Sequence, residues 1–182
     1  MNNLKTIYLA GVPASGKSTI FRNIRKILFK NPSLVSDGLY RGISEGPFEM
    51  CGVFDGSEFE GTDRLAMNCI DDAIAHAKKL DSSGCRRVMF VEGDRLLARR
   101  FLQETGASLY LVRCSQSTLS ERRSTRSRNG FGQSERFLKS RNSKINNILS
   151  EFGCTFVNNE KPYDVISAAK SLSTIATEWV NA

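Results

Sequence analysis

The amino-acid sequence predicts an α/β fold in which helices cover both faces of a parallel sheet. Short apolar runs that end at turn residues alternate along the chain with segments of helical periodicity, and this alternation is typical of βαβ units. The 182 residues are 40% hydrophobic and 25% charged, which suits one domain with a full core. We therefore expect a single domain that spans residues 1–182.

The strands and helices follow from this alternation. Leu4–Ala10 (LKTIYLA) is a run of apolar, β-branched and aromatic residues that ends at Gly11, as buried strands do. Further strands are predicted at 33–36, 86–91, 108–113 and 155–158. Helices are predicted at 17–30, 63–80, 95–103, 116–128, 134–151 and 163–180.

Several classes of protein are excluded by composition. No apolar run approaches the roughly 18 residues that cross a bilayer, and the N-terminus lacks the pattern of a signal peptide. We therefore expect a cytoplasmic protein without a membrane partner. The five cysteines include no C-x-x-C pair, which argues against a disulfide framework or a zinc site. The single histidine, His76, is expected on the polar side of a helix.

The formal net charge of +7 is distributed unevenly. Residues 1–41 hold seven Lys or Arg and one acid, and residues 113–144 hold nine Lys or Arg and two acids. The two remaining segments are net acidic. Two basic segments suggest an anionic partner, although a solvated helix face gives the same pattern.

Residues 11–18 (GVPASGKS) match G-x-x-x-x-G-K-[ST] at every position, directly between the first predicted strand and the first predicted helix. Such a loop curls its backbone N–H groups around phosphate, whereas a turn that only caps a helix is the structural alternative. Lys17 is expected to contact the β- and γ-phosphates of ATP, and Ser18 to ligate Mg²⁺. The residues expected to bind the cofactor are Gly11, Ala14, Ser15, Gly16, Lys17, Ser18 and Thr19.

Asp37 and Arg41 follow the second predicted strand. Phosphoryl transfer to a hydroxyl needs a carboxylate that accepts or orients the hydroxyl proton, and Asp37 is predicted for this catalytic role. Arg41 is predicted to bind an anionic acceptor or the transferred phosphoryl group. The alternative is an Asp-Gly turn in which Asp37 binds its own backbone.

Residues 38–63 are expected to form an insertion on the acceptor side, and 45–63 is its least regular part. Long loops inside compact domains are usually functional or mobile. Either Thr62 or Asp63 is expected to cap the following helix. The candidates for contact with the acceptor are Asp63 and Arg64.

Glu92 and Asp94 follow the apolar run VMFV. A carboxylate at the end of a buried strand is expected to hold Mg²⁺ through a water molecule. Glu92 is the first candidate and Asp94 the second. Because the usual acid at this position is Asp, the alternative role of Glu92 is to bind the acceptor hydroxyl.

Residues 115–133 form an arginine-rich segment that is predicted to be a lid. Arg122 and Arg126 share a helix face through their i,i+4 spacing. Planar guanidinium groups bind phosphate oxygens bidentately and stack on adenine, so both are predicted to be catalytic and Arg122 also to bind the nucleotide. Arg128 is a third candidate, whereas Arg123 is expected to be solvated.

The loop GVPASGKST resembles those of the small P-loop kinases, which include nucleoside, nucleotide, polynucleotide and adenylylsulfate kinases. The resemblance covers most of the chain, because the later landmarks follow in the order that this group uses. It implies a three-layer P-loop NTPase fold with a parallel five-stranded sheet in the order 2-3-1-4-5 and an arginine-rich lid. It also implies that Asn158 contacts adenine and that Asp37 and Arg41 match a D-x-x-x-R segment of polynucleotide kinases.

A narrower resemblance concerns the acceptor. The insertion VFDGSEFEGTDRLAM, the short lid and the helix RFLKSRNSKINNI are similar to bacteriophage kinases that act on 5-hydroxymethyluracil in DNA. This implies transfer of the γ-phosphoryl group of ATP to the hydroxymethyl group of the base, a step of thymidine hypermodification, with DNA as partner and the host cytoplasm as location. The alternatives are a nucleoside, nucleotide or small-metabolite kinase, and an NTP-dependent switch or DNA-binding module without an acceptor.

Overall fold

Seven strands form one sheet in the part of the chain that the computed structural model describes, residues 3–57, 60–130 and 132–182. The strands are β1 (Leu4–Ala10), β2 (Ser33–Asp37), β3 (Tyr40–Glu45), β4 (Phe48–Cys51), β5 (Arg87–Glu92), β6 (Ser108–Arg113) and β7 (Cys154–Asn158). The helices are α1 (Lys17–Leu28), α2 (Ile70–Asp81), α3 (Arg99–Thr105), α4 (Gln116–Arg128), α5 (Glu135–Leu149) and α6 (Pro162–Asn181), with a 3-10 helix at Thr62–Arg64. The predicted α/β fold class is confirmed.

The order of the sheet is β2-β3-β4-β5-β1-β6-β7. The strands from β4 to β7 in this order are parallel neighbours, whereas β3 is antiparallel to both β2 and β4. All five predicted strands are present. Relative to one another, the five predicted strands keep the predicted order 2-3-1-4-5. The predicted count is wrong, because the β3–β4 hairpin inserts between the second and third predicted strands and gives seven strands in the described residues.

The β3–β4 hairpin lies within the stretch that the sequence predicts to be an irregular insertion. Its strands have six and four residues, and they are joined at Gly46, where φ is 56°. Strands this short carry too few alternating positions to be told from a loop by periodicity. Met50 and Cys51 are completely buried where β4 pairs with β5. The formation of this hairpin therefore depends on tertiary contacts.

The two faces of the sheet are covered by different helices. α1 and α6 pack around Ile7, Leu9 and Phe90, and α2, α3 and α5 pack around Tyr8 and Met89. None of the helices within the described ranges is long and apolar enough to span a bilayer. The carboxyl ends of β1, β5 and β6 meet at one edge of the sheet, where ligands bind in open α/β folds.

His76 is buried, which corrects the expectation that it lies on the polar side of a helix. It is 8% exposed, and its ring stacks on that of Tyr40 with centroids 4.1 Å apart. Its Nε2 lies 2.6 Å from Oε1 of Glu49, and its Nδ1 lies 3.1 Å from Oδ2 of Asp37. The pattern of α2 alone misses this burial, because the partners come from β2 and the β3–β4 hairpin.

This network links stability to pH. Burial opposes the charged imidazole, but the hydrogen bonds and charges of Glu49 and Asp37 outweigh it and raise the pKa of His76. A raised pKa in the folded state stabilises the fold below the unfolded pKa of about 6.5. That contribution is lost as the pH rises through the folded-state pKa.

We expect His76→Gln to lower the free energy of unfolding by up to about 3 kcal/mol at pH 6, because two carboxylates lose a charged partner. The loss should be smaller at pH 9, because the imidazole of the parent protein loses its charge as the pH rises through its raised pKa. Urea denaturation at both pH values measures the difference. Lys79→Gln, which removes an exposed partner of Asp37, serves as the control and should cost less than about 1 kcal/mol. Equal losses from His76→Gln at the two pH values would contradict a charged imidazole.

Candidate active site

The phosphate loop joins β1 to α1 in a conformation that few side chains adopt. Ala14 has a φ of 74° and Gly16 a φ of 96°, and for Ala14 this costs on the order of 1–3 kcal/mol. Gly16 is the N-cap of α1, whose first turn contains no acidic residue. Successive N–H groups in such a loop converge, and the start of α1 adds the positive end of its dipole. The loop therefore has the shape and charge of an anion site.

A buried amide braces this loop from behind. The side chain of Asn159, which is 0% exposed, donates from Nδ2 to the carbonyl oxygen of Ser15 over 2.6 Å. Arg122 donates to the same oxygen at 3.3 Å and to the carbonyl oxygen of Asn159 at 3.0 Å. A Cβ at Gly16 would lie 2.0 Å from the Asn159 amide nitrogen. The brace therefore leaves no room for a side chain at position 16.

The arginines of the predicted lid occupy different positions. Arg122 contacts the back of the loop, whereas Arg126 lines the cleft in front of it. Arg123, expected to be solvated, is half-buried and donates to the carbonyl oxygen of Pro13 at 3.4 Å. Arg126 is therefore the arginine of α4 best placed to meet a transferring phosphoryl group.

The two asparagines at the end of β7 make different contacts. Asn158, which the resemblance places against adenine, accepts a hydrogen bond from Nε of Arg113 at 2.9 Å. Its neighbour Asn159 is the one that contacts the phosphate loop. The sequence contains the pair, but only the tertiary structure shows which of the two amides turns inward.

A cleft of about 710 Å³ opens in front of the loop. Its volume lies in the range of small-molecule sites, roughly 300–1,000 Å³. Side chains from α1, the 3-10 helix, the end of β5 and the α4–α5 region meet there. The ones that carry chemistry are Lys17, Ser18, Arg22, Glu60, Asp63, Arg64, Glu92, Asp94, Arg126, Gln133 and Phe137.

Glu92, the last residue of β5, is the buried acid of the cleft. It is 2% exposed, and its Oε2 accepts a hydrogen bond from the Ser18 hydroxyl at 3.1 Å. Burial raises the pKa of Glu92 to about 7, with a contribution from the charges of Asp63 and Asp94, although Lys17 and the Ser18 hydrogen bond oppose the rise. Burial is therefore the main reason that this carboxyl group binds its proton more tightly than a free one.

The donors present fit Mg²⁺. Ser18 and Glu92 offer a hydroxyl and a carboxylate oxygen, the hard ligands that this cation takes, and the two side chains lie within hydrogen-bond distance of each other. Within the described residues, no group of three or more Asp, Glu, His or Cys is arranged to hold a metal alone. Mg²⁺ commonly takes one or two protein ligands and completes its shell with water and substrate phosphates. Asp94 is a weaker candidate, because Nε of Arg141 lies 3.3 Å from its Oδ2.

Asp63 is held rigidly at the rim of the cleft. Its Oδ1 accepts hydrogen bonds from the backbone N–H groups of Asp94 at 2.7 Å and Arg95 at 3.1 Å. Gly93, whose φ is 83°, lets the backbone approach this closely, since a Cβ there would lie 2.5 Å from Oδ1. These contacts fix the orientation of the Asp63 carboxylate.

The structure does not bring Asp37 and Arg41 to the cleft. Asp37 ends the edge strand β2, which lies three strand spacings, roughly 14 Å, from β5. Lys79 binds its carboxylate at 2.7 and 2.9 Å and, together with His76, lowers the pKa of Asp37. Arg41 donates to the carbonyl oxygen of Gly38 at 2.6 Å and so ties the β2–β3 turn. Asp37 and Arg41 lie outside the cleft because the inserted hairpin moves β2 away from the phosphate loop.

Arg64 does line the cleft, but its guanidinium group is held by a neighbouring loop. One of its nitrogens lies 2.7 Å from both carboxylate oxygens of Asp55. Arg25 of α1 binds Glu60 of the same loop at 2.5 Å. These two ion pairs fix the loop beside the phosphate-binding residues.

Sequence reasoning missed Arg22, Gln133 and Phe137 as cleft residues. Arg22 lies four residues after Ser18, so helical spacing places it on the cleft side of α1. Gln133 and Phe137 carry no motif signal, because they reach the cleft only through the packing of α5 beside α4.

The model of the family P-loop Nucleotide Kinase3 matches residues 2–168 of this sequence. The chain belongs to this P-loop nucleotide kinase family. The match confirms the resemblance to P-loop kinases that the sequence of the phosphate loop indicates. Nucleotide binding by a P-loop is the property that the family implies.

Solved structures add a likeness of fold to the family match. A gluconokinase from Sinorhizobium meliloti 1021 aligns over 98% of this kinase and 97% of its own chain, with 16% identity and a TM-score of 0.52. A sugar kinase from Janibacter sp. HTCC2649 aligns over 97% and 98%, with 13% identity and a TM-score of 0.42. At 16% identity, the first likeness shows a shared fold, and the second is too weak to add to it. No curated protein matches the sequence.

The brace behind the loop generates a prediction about nucleotide affinity. We expect Asn159→Ala to weaken ATP binding about tenfold, or about 1.4 kcal/mol, because the Ser15 carbonyl loses its buried donor and the loop relaxes. Isothermal titration with ATP and Mg²⁺ measures the change. Asn158→Ala, which removes the adjacent exposed amide, is the matched control and should bind ATP normally. Equal affinities for the two variants would show that the brace does not shape the loop.

Proposed function

We propose that this kinase transfers the γ-phosphoryl group of ATP to a hydroxyl group of a second substrate. The observation that supports this function is the cleft in which Lys17 and Ser18 meet the carboxylates of Asp63, Glu92 and Asp94. Cationic groups for phosphate and a carboxylate for a hydroxyl proton are the two components that the reaction needs.

The phosphate side of the cleft binds the nucleotide. The N–H groups of the loop and the start of α1 surround the β- and γ-phosphates, and Lys17 contacts both. Arg126 stabilises the negative charge on the transferring group. Mg²⁺, with Ser18 and Glu92 as its protein ligands, supplies further positive charge to the phosphate oxygens when bound.

Asp63 is the proposed acceptor of the hydroxyl proton. Its Oδ1 is occupied by two backbone N–H groups, while its Oδ2 makes no hydrogen bond with the described residues. Glu92 is engaged by Ser18, and Asp94 is paired with Arg141. In the transfer step, the substrate oxygen forms a bond to the γ-phosphorus, the bond from phosphorus to the bridging oxygen of ADP breaks, and the proton passes to Oδ2 of Asp63.

We propose the hydroxymethyl group of 5-hydroxymethyluracil in DNA as the acceptor. The sequence resemblance to bacteriophage kinases supports it, as does the net charge of +7, because a polyanion requires cations. A base must leave the duplex stack to reach such a cleft. Phe137 lines the cleft, and the guanidinium group of Arg141 lies over one face of its ring, 4.8 Å from the centroid. A base would stack on the other face.

The two candidate carboxylates can be separated by matched amide variants. We expect Asp63→Asn to lower kcat by about 10²- to 10⁴-fold, the usual contribution of a general base, because an amide still accepts the backbone N–H groups but takes no proton. ATP affinity should persist. Asp37→Asn is the control and should keep kcat within about twofold, since Asp37 lies outside the cleft. Loss of kcat in Asp37→Asn with normal turnover in Asp63→Asn would reverse the assignment.

The acceptor can be tested with γ-labelled ATP and a panel of hydroxyl compounds. The panel contains duplex DNA with 5-hydroxymethyluracil, the same duplex with thymine, free 5-hydroxymethyldeoxyuridine, and gluconate, on which the similar bacterial enzyme acts by name. We expect label in the hydroxymethyluracil duplex and none in the thymine duplex, with Lys17→Ala inactive throughout. Label confined to the nucleoside or to gluconate would overturn the DNA acceptor. Hydrolysis of ATP without any labelled acceptor would favour an NTP-dependent switch.

A further inference from the structure

The cations of α4 and α5 fall into two groups. The first group makes contacts inside the protein. Arg122 and Arg123 donate to backbone carbonyls of the phosphate loop. Lys144 donates to the carbonyl oxygen of Asp94 at 2.8 Å, and Arg141 pairs with its carboxylate at 3.3 Å. These four residues hold the cleft together and are not free for another partner.

The second group consists of Arg126, Arg128, Arg136 and Lys139, which we name the lid surface. All four are exposed. Among the described residues they form no ion pair, and the hydrogen bond from Arg128 to the Thr125 hydroxyl at 3.3 Å lies within α4. The positive charge of the lid surface is therefore displayed to solvent without an acidic partner.

The lid surface begins at the cleft. Arg126 lines the cleft together with Phe137 of α5, and Arg136 precedes Phe137 in the chain. Lys139 lies one helical turn beyond Arg136, where side chains are about 5–6 Å apart. The end of α4 and the start of α5 also share a small pocket lined by Arg126 and Leu138. Arg136 and Lys139 therefore lie on the same turn of α5 as the cleft-lining Phe137.

The chemistry of this surface fits a polyanion. Among the described residues, the exposed large hydrophobic side chains all lie outside α4 and α5, at Ile27, Leu34, Leu39, Met67, Phe156, Tyr163 and Ile166. A protein partner usually buries such side chains at the centre of its interface. ATP does not account for Arg136 and Lys139, because neither residue lines the cleft. A chain of phosphates that continues beyond the cleft does account for them.

We propose that the lid surface binds the backbone phosphates that flank the acceptor nucleotide in DNA. The inference rests on the proposed DNA acceptor and adds the residues that hold the strand. Phosphate contacts of this kind fix the position of the strand without reading its sequence. The lid would thus contribute to both substrates, with Arg126 at the transferring group and Arg136 and Lys139 on the DNA.

The salt dependence of DNA binding tests the proposal. Each phosphate contact contributes about 0.9 to the slope of log K against log salt for duplex DNA, so the double variant R136Q/K139Q should lower that slope by about 2. Fluorescence anisotropy with a labelled hydroxymethyluracil duplex measures the slope. The control is K26Q/K170Q, which removes the same charge from exposed positions on α1 and α6 and should keep the parent slope. In kinetic assays, R136Q/K139Q should raise the KM for DNA and leave the affinity for ATP unchanged.

The failure of this proposal can be distinguished from the failure of the proposed function. Slopes that are equal for R136Q/K139Q and the control would overturn the lid surface, even if the parent kinase phosphorylates DNA. An equal loss of slope in both double variants would also overturn it, because only net charge would then matter. Transfer confined to small acceptors would overturn the DNA acceptor. The anisotropy slopes would still show whether the lid surface binds DNA phosphates.

Discussion

The hydrogen bond from the buried Asn159 amide to the Ser15 carbonyl is the interaction on which the rest of the site depends. The phosphate loop can point its N–H groups outward only if its carbonyl groups turn inward and find donors there. Asn159 supplies one donor from the end of β7, and Arg122 supplies another from α4. The loop, the edge of the sheet and the lid are therefore joined behind the nucleotide site, so the geometry of each depends on the others.

The Lys and Arg side chains of the kinase are of two kinds, which its net charge alone does not distinguish. Some cations, such as Arg122 and Lys144, satisfy carbonyl oxygens inside the protein and hold α4 and α5 against the cleft. Others, such as Arg136, are exposed and form no ion pair with the described residues. The side chains of the second kind are free to contact an anionic partner, whereas those of the first kind are held by contacts inside the protein.

The β3–β4 hairpin changes which carboxylate lies in the cleft. It adds two strands between β2 and β5, and so it moves Asp37 to the far side of the sheet, where Lys79 and His76 neutralise it. The chain that follows the hairpin then brings Asp63 against the turn after β5. The cleft thus contains a carboxylate, but it comes from a later segment than the end of β2.

The sequence by itself determined the fold class and the phosphate loop, because periodicity and the G-x-x-x-x-G-K-S spacing are local properties of the chain. It also identified two candidates, Glu92 after a buried strand and Asp63 at the end of the irregular insertion. The insertion of the β3–β4 hairpin into the sheet, the burial of His76 and the choice of Asn159 over Asn158 were decided only by tertiary structure. Each of these features depends on which strands and helices become neighbours. The neighbours are determined by residues that are far apart in the chain, because these residues bury apolar surface together and satisfy one another's buried polar groups.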